Sequence, residues 1–153
     1  MNKVYIGTIF LVLIVGFAVY NFKGKLPEKT TDSTPGSIVI INTNPKSDLI
    51  IVDAPLSEEA VTSPFVISGK ARGNWFFEAS FPIELQDTEG NVLKTVVAQA
   101  QGDWMTTEFV PFEASLSFSK PTAPMSAVLV FKKDNPSGLP EHDDSIEVPV
   151  TIQ

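Results

Sequence analysis

The chain has 153 residues, 43% of them hydrophobic, no cysteine and a formal net charge of −7. That length allows one domain plus a tail. From Gly36 onward seven basic residues face sixteen acidic ones, a net charge of −9. Such a balance excludes nucleic-acid binding, which needs a basic stripe, and opposes docking on anionic lipid heads.

Residues 4–22 (VYIGTIFLVLIVGFAVYNF) contain no charge. Nineteen residues at helical rise span roughly 28 Å, close to the hydrocarbon core of a bilayer. Tyr5, Tyr20 and Phe22 sit near the ends, where aromatic rings favour the interface. A secretory leader has a shorter apolar core and a small-residue cleavage site, and Ala18-Val19-Tyr20-Asn21-Phe22 is a poor one. The absence of cysteine excludes lipoprotein processing. Residues 1–22 are therefore predicted to be an uncleaved transmembrane anchor. Lys23, Lys25 and Lys29 on the far side argue by charge for a cytoplasmic C-terminal part. The short N-terminal tail before a large acidic domain is instead the layout of a signal anchor, and an extracytoplasmic domain is the expectation.

Residues 23–47 are assigned to a linker. Its first part (KGKLPEKTTDSTPG) is polar and proline-bearing. The run SIVIINT at residues 37–43 is either a strand or a sticky extension of that linker. LIIV at residues 49–52 is the expected first strand of a domain covering residues 48–153.

From there strand signals alternate with turn signals, and no amphipathic helix stands out. Residues 65–71 and 75–87 form two runs, and Thr88-Glu89-Gly90-Asn91 is a turn before residues 92–100. In residues 112–118 Phe112, Ala114, Leu116 and Phe118 point one way and Glu113, Ser115 and Ser117 the other. AVLVF at residues 127–131 is apolar on both faces, as a central strand is. Ile146, Val148, Val150 and Ile152 mark a last strand. About seven strands in roughly a hundred residues define an all-β, immunoglobulin-like β-sandwich. The disulfide and tyrosine corner of that class are absent, because there is no cysteine and both tyrosines lie in the apolar segment.

The run at residues 75–87 places Trp75, Phe77, Ala79, Phe81, Ile83 and Leu85 on an inward face, leaving Phe76 on the polar one. Core burial is the simplest reading of Trp75, and Arg72-Gly73-Asn74 reads as a turn in which Arg72 pairs with carboxylates of the fold. Arg72, Trp75, Phe76 and Trp104 are nevertheless the candidate ligand-binding residues, because aromatics beside a lone arginine suit stacking on a carbohydrate. Two echoes also occur: Gly73-Asn74-Trp75 with Gly102-Asp103-Trp104, and FEAS at residues 77–80 and 112–115.

The loop KDNPSGLPEHDDS (residues 133–145) holds the only histidine, His142, among four acidic residues. Its spacing lacks the D-x-[DN]-x-[DN]-G pattern of a calcium loop, so a solvated acidic loop is the plainer reading. One histidine and no cysteine disfavour a transition-metal site. No nucleophile elbow, phosphate loop or HExxH motif appears, so no catalytic residue and no cofactor are expected.

Three stretches taken together carry a resemblance: VTSPFVISGKARGNWFFEASFPIELQDTEGNVL (residues 61–93), FEASLSF (residues 112–118) and KDNPSGLPEHDDSIEVPV (residues 133–150). They resemble the immunoglobulin-like domain of bacterial spore germination, the second of the Gmad families. The resemblance implies an extracytoplasmic β-sandwich of the bacterial envelope without catalytic role, and it supplies no site residues. Domains of that family often accompany a germination-type partner domain, and none is expected within these 153 residues. The expected function is a membrane-anchored module that binds an envelope protein or cell-wall component. The alternative is a carbohydrate- or peptidoglycan-binding module using exposed aromatics.

Overall fold

The computed structural model describes residues 44–153. The predicted anchor and the run at residues 37–43 lie outside the described residues. Among the described residues no helix is long and apolar enough to cross a membrane.

Eight strands form a single curled sheet: β1 (Ile50–Ala54), β2 (Glu59–Val61), β3 (Phe65–Arg72), β4 (Ser80–Asp87), β5 (Val92–Ala100), β6 (Phe109–Leu116), β7 (Met125–Lys132) and β8 (Ser145–Ile152). Their spatial order is β1-β3-β6-β5-β4-β7-β8-β2. All neighbours are antiparallel except β2, which runs parallel to β8. β5 and β6 share only two residue pairs, Gln99 with Glu113 and Ala100 with Phe112. At that short junction the sheet folds over on itself, so β1-β3-β6 packs against the rest.

The core lies between these two halves. Phe112 on β6 meets Phe81 on β4 edge-on at 4.9 Å between ring centres, and Phe131 on β7 at 6.1 Å. Edge-to-face packing of buried rings adds about 0.5–1.5 kcal/mol per pair beyond burial alone. Ile67, Ile83, Leu85, Leu116 and Leu129 are fully buried around them. The period-2 alternation read from the sequence holds in β6, where Val110, Phe112, Ala114 and Leu116 are buried and Pro111, Glu113 and Ser115 exposed. On β7 Val130 is buried as well as Leu129 and Phe131, as befits a strand covered on both faces.

Two expectations need correction. The strand count is eight rather than about seven, because β2 pairs with the distant β8. It is three residues long and only Val61 is buried, so it has no alternation to read. The run at residues 75–87 is not one strand. Gly73–Trp75 forms a 3-10 turn, and strand β4 starts only at Ser80. Between them Phe77 and Ser80 exchange backbone hydrogen bonds of 3.0 and 3.1 Å around Glu78 and Ala79, whose φ angles are 49° and 63°. This two-residue left-handed turn resets the alternation. Trp75 and Phe76 are both buried, while Phe77, expected inward, is 40% exposed. From Phe81 onward the expected faces hold.

Candidate functional site

Arg72 ends β3 and is held by the fold itself. Its Nε donates to the carbonyl of Asp48 at 3.0 Å and its Nη1 to that of Thr107 at 3.2 Å. The guanidinium lies over the ring of Phe109, its cross-strand partner, 4.1 Å from the centroid. The carboxylate of Glu108 stands 3.6 Å from Nη1 but is largely exposed. A carboxylate partner thus exists, and it is secondary to two carbonyls and an aromatic face.

Trp75 and Phe76 are 1% and 4% exposed. Phe76 packs edge-on against Phe81 at 5.2 Å between ring centres. The indole N–H of Trp75 is buried with no acceptor among the described residues. Neither ring has a face open to a sugar. Trp104 is half-buried against the core and borders a shallow hollow with Asn74, Met105 and Thr106. The hollow adjoins the closest backbone approach in this region. A methyl group on Gly73 would stand 1.9 Å from the carbonyl oxygen of Thr106 and 2.3 Å from that of Trp104. The Gly-Asx-Trp echo therefore has a spatial counterpart, since the first glycine abuts the second tryptophan's backbone. The FEAS echo has none: one copy is the left-handed turn, the other lies in β6.

The acidic loop is stapled internally. Asn135 donates to the carbonyl of Leu139 and to Asp143 Oδ1, each at 2.8 Å. Ser137 Oγ lies 3.1 Å from His142 Nδ1, accepts from Leu139 N–H at 3.2 Å and bonds Asn135 Oδ1. A nucleophilic serine needs a histidine that a carboxylate orients. Here the neighbouring Asp143 is engaged by Asn135, and the residues are exposed to solvent. Their bonds shape the turn. Among the described residues no three His, Asp or Glu side chains converge as a metal site.

The most developed concavity is elsewhere, a groove of about 720 Å³ between β1 and β8. Val52 and Ile146 are buried beneath it, with Ile51, Val148 and Pro149 half-buried along its walls. Lys46 closes one end through an ion pair with Asp144 and a 2.9 Å bond to the carbonyl of Ser145. At the other end Glu58 N–H bonds the carbonyl of Pro149 at 2.8 Å. No motif marks this groove, because its walls come from segments about ninety residues apart in the chain.

The strand order, the curled sheet and the loop-stapled ends define an immunoglobulin-like β-domain. Residues 49–138 match the immunoglobulin-like domain of bacterial spore germination (Gmad2), and the chain belongs to that family. It is a non-catalytic module of the kind found in spore germination proteins. β8, one wall of the groove, lies beyond the matched residues. No curated protein matches the chain.

Proposed function

We propose that this chain is a membrane-anchored, extracytoplasmic module of the bacterial cell envelope that binds another envelope protein. Residues 4–22 serve as the anchor, the following polar stretch as the tether, and the β-domain as the binding unit. The observation that supports a binding role best is the groove between β1 and β8, concave and largely apolar, with Lys46, Asp53 and Glu147 as its charged lining residues. Carbohydrate stacking is the weaker reading. Of the aromatics picked for it, only Trp104 has a partly open ring.

Two measurements test the proposal. A single cysteine at Ser126 on the cysteine-free background should react with a membrane-impermeant maleimide in intact cells. Reaction only after lysis would place the domain inside. The full chain, cross-linked in envelopes and purified, should carry a defined partner protein rather than wall glycan. Recovery of glycan alone would refute the protein-binding role.

A further inference from the structure

We propose that the groove takes the apolar face of a basic amphipathic helix supplied by the partner protein. This rests on the protein-binding reading above. The backbone at the ends of the groove has no pairing groups to offer. Ile50 N–H is bonded to the carbonyl of Lys46 at 3.0 Å. Ser145 donates its N–H to Asp144 Oδ1 at 2.9 Å, and its carbonyl accepts from Lys46 Nζ at 2.9 Å. Pro149 has no N–H, and its carbonyl accepts from Glu58 N–H at 2.8 Å. A guest chain buried here must therefore satisfy its own backbone. A helix does so through its internal bonds, whereas an extended segment leaves its groups open.

The same bonds shape the site. Lys46 to Ser145 and Glu58 to Pro149 bridge the two walls, so the groove is a bowl that side chains enter from above. Its length, five residues of strand, is roughly 17 Å. Three turns of a helix span about 16 Å and point the side chains at i, i+4 and i+7 the same way. Those side chains reach the floor of Val52 and Ile146 and the wall of Val148. Leu56 adds an apolar lip, 40% exposed. Its turn is fixed by bonds from its own N–H to Glu59 Oε2 at 2.7 Å and from Glu59 N–H to its carbonyl at 3.1 Å. A leucine held in solvent beside an apolar bowl is buried only when a partner covers it.

Charge selects the helix. Among the described residues Lys46 is the one cation lining the groove, and Asp144 neutralises it. Asp53 on β1 and Glu147 on β8 are exposed on opposite walls and join no ion pair among the described residues. These carboxylates fit lysine or arginine on both flanks of the guest's apolar stripe. From Gly36 onward sixteen acidic residues outnumber seven basic ones, which draws a basic partner from a distance. The same surplus opposes a second copy of this chain in that place.

The test uses the full chain in nanodiscs of zwitterionic lipid and a fluorescein-labelled, side-chain-stapled helix of about twelve residues. The helix carries leucines on one face, lysines on both flanks and alanine elsewhere. Fluorescence anisotropy should show saturable binding above that of empty nanodiscs. A helix of the same composition with its leucines spread around the axis should bind roughly tenfold more weakly, and so should an extended peptide of alternating valine and lysine. Asp53→Lys combined with Glu147→Lys should weaken binding of the first helix roughly tenfold, and Leu56→Asp by a similar factor. Tm should stay within a few degrees, because all three side chains are exposed. Equal binding of the two helices, equal or tighter binding of the extended peptide, or no effect of the charge reversal or of Leu56→Asp would overturn the proposal. So would binding that appears only when residues 37–43 are replaced by glycine and serine, which would assign the bowl to the chain's own segment. If the chain with all three substitutions still captures the envelope partner, the groove is not its dock, and the protein-binding reading survives. If the unsubstituted chain captures no protein, that broader reading fails too.

Discussion

The guanidinium of Arg72 lies over the ring of Phe109 on the neighbouring strand, 4.1 Å from its centroid, while its nitrogens reach two backbone carbonyls. The only arginine in the chain is thus a clasp joining β3, β6 and the turn before β1. A lysine keeps the charge but loses the planar fork. Arg72→Lys should cost about 1–2 kcal/mol in urea unfolding. In a double-mutant cycle Arg72→Ala and Phe109→Leu should couple by about 0.5–1 kcal/mol. Binding at the groove should not change. Additive losses would mean that the ring contact contributes nothing.

Ala79 occupies the second position of the turn between Phe77 and Ser80 at φ 63°, where a Cβ is crowded. Turns of this hand are normally made by asparagine and glycine. Ala79→Gly should therefore stabilise the domain by about 1 kcal/mol, because relief of the left-handed strain outweighs the added freedom of the unfolded chain. The urea midpoint should rise with an unchanged slope. A lower midpoint would show that the turn is not strained.

Gly73 poses the opposite case. A methyl group there would overlap the carbonyl oxygens of Thr106 and Trp104, which belong to backbone and cannot swing aside. Gly73→Ala should cost about 2–3 kcal/mol and push the segment carrying Trp104 outward. In a Trp75→Phe background the remaining emission should shift to the red. Unchanged stability and emission would show that this close approach is dispensable.

Acid should weaken the fold through two carboxylates. Burial works to raise the pKa of Glu84, but hydrogen bonds from Lys132 and Gln86 and the lysine's charge outweigh it and hold the group below its ordinary value. Asp87 is held low mainly by the side-chain hydrogen bond from Asn91, reinforced by backbone N–H groups of the turn. Both groups bind a proton less readily folded than unfolded. Their stabilisation is complete above the unfolded carboxylate range, roughly pH 4, and is lost as pH falls through the lower folded values. Tm should hold steady near neutrality and fall below about pH 4. Asn91→Ala should shallow that fall by removing the main bond to Asp87. An identical acid slope in the variant would show that Asp87 plays no part.

The strands were legible wherever one face is buried and the other wet. β6 alternates cleanly, and β8 does so except at Val148 and Pro149, which are both half-buried; their inward residues could be named from the sequence. The segment around Trp75 was not legible. Its turn uses Glu78 and Ala79 where asparagine and glycine would have announced it, so three apolar residues in a row concealed a change of phase. Phe76 accordingly moved from candidate ligand contact to core. β2 escaped because its pairing is with residues ninety positions away. The groove escaped for the same reason, since strand edges have no residue signature and emerge only when the sheet order is known.

The pairing of β2 with β8 also sets a schedule. Glu59–Val61 meets its partner only in residues 150–152, and Lys46 meets Asp144 and Ser145. A chain that emerges N-terminus first must therefore hold β2 and the turn at Lys46 without their final partners until nearly all of it has appeared. The groove is then among the last features to exist, so an incomplete or nicked chain that has lost β8 cannot display it.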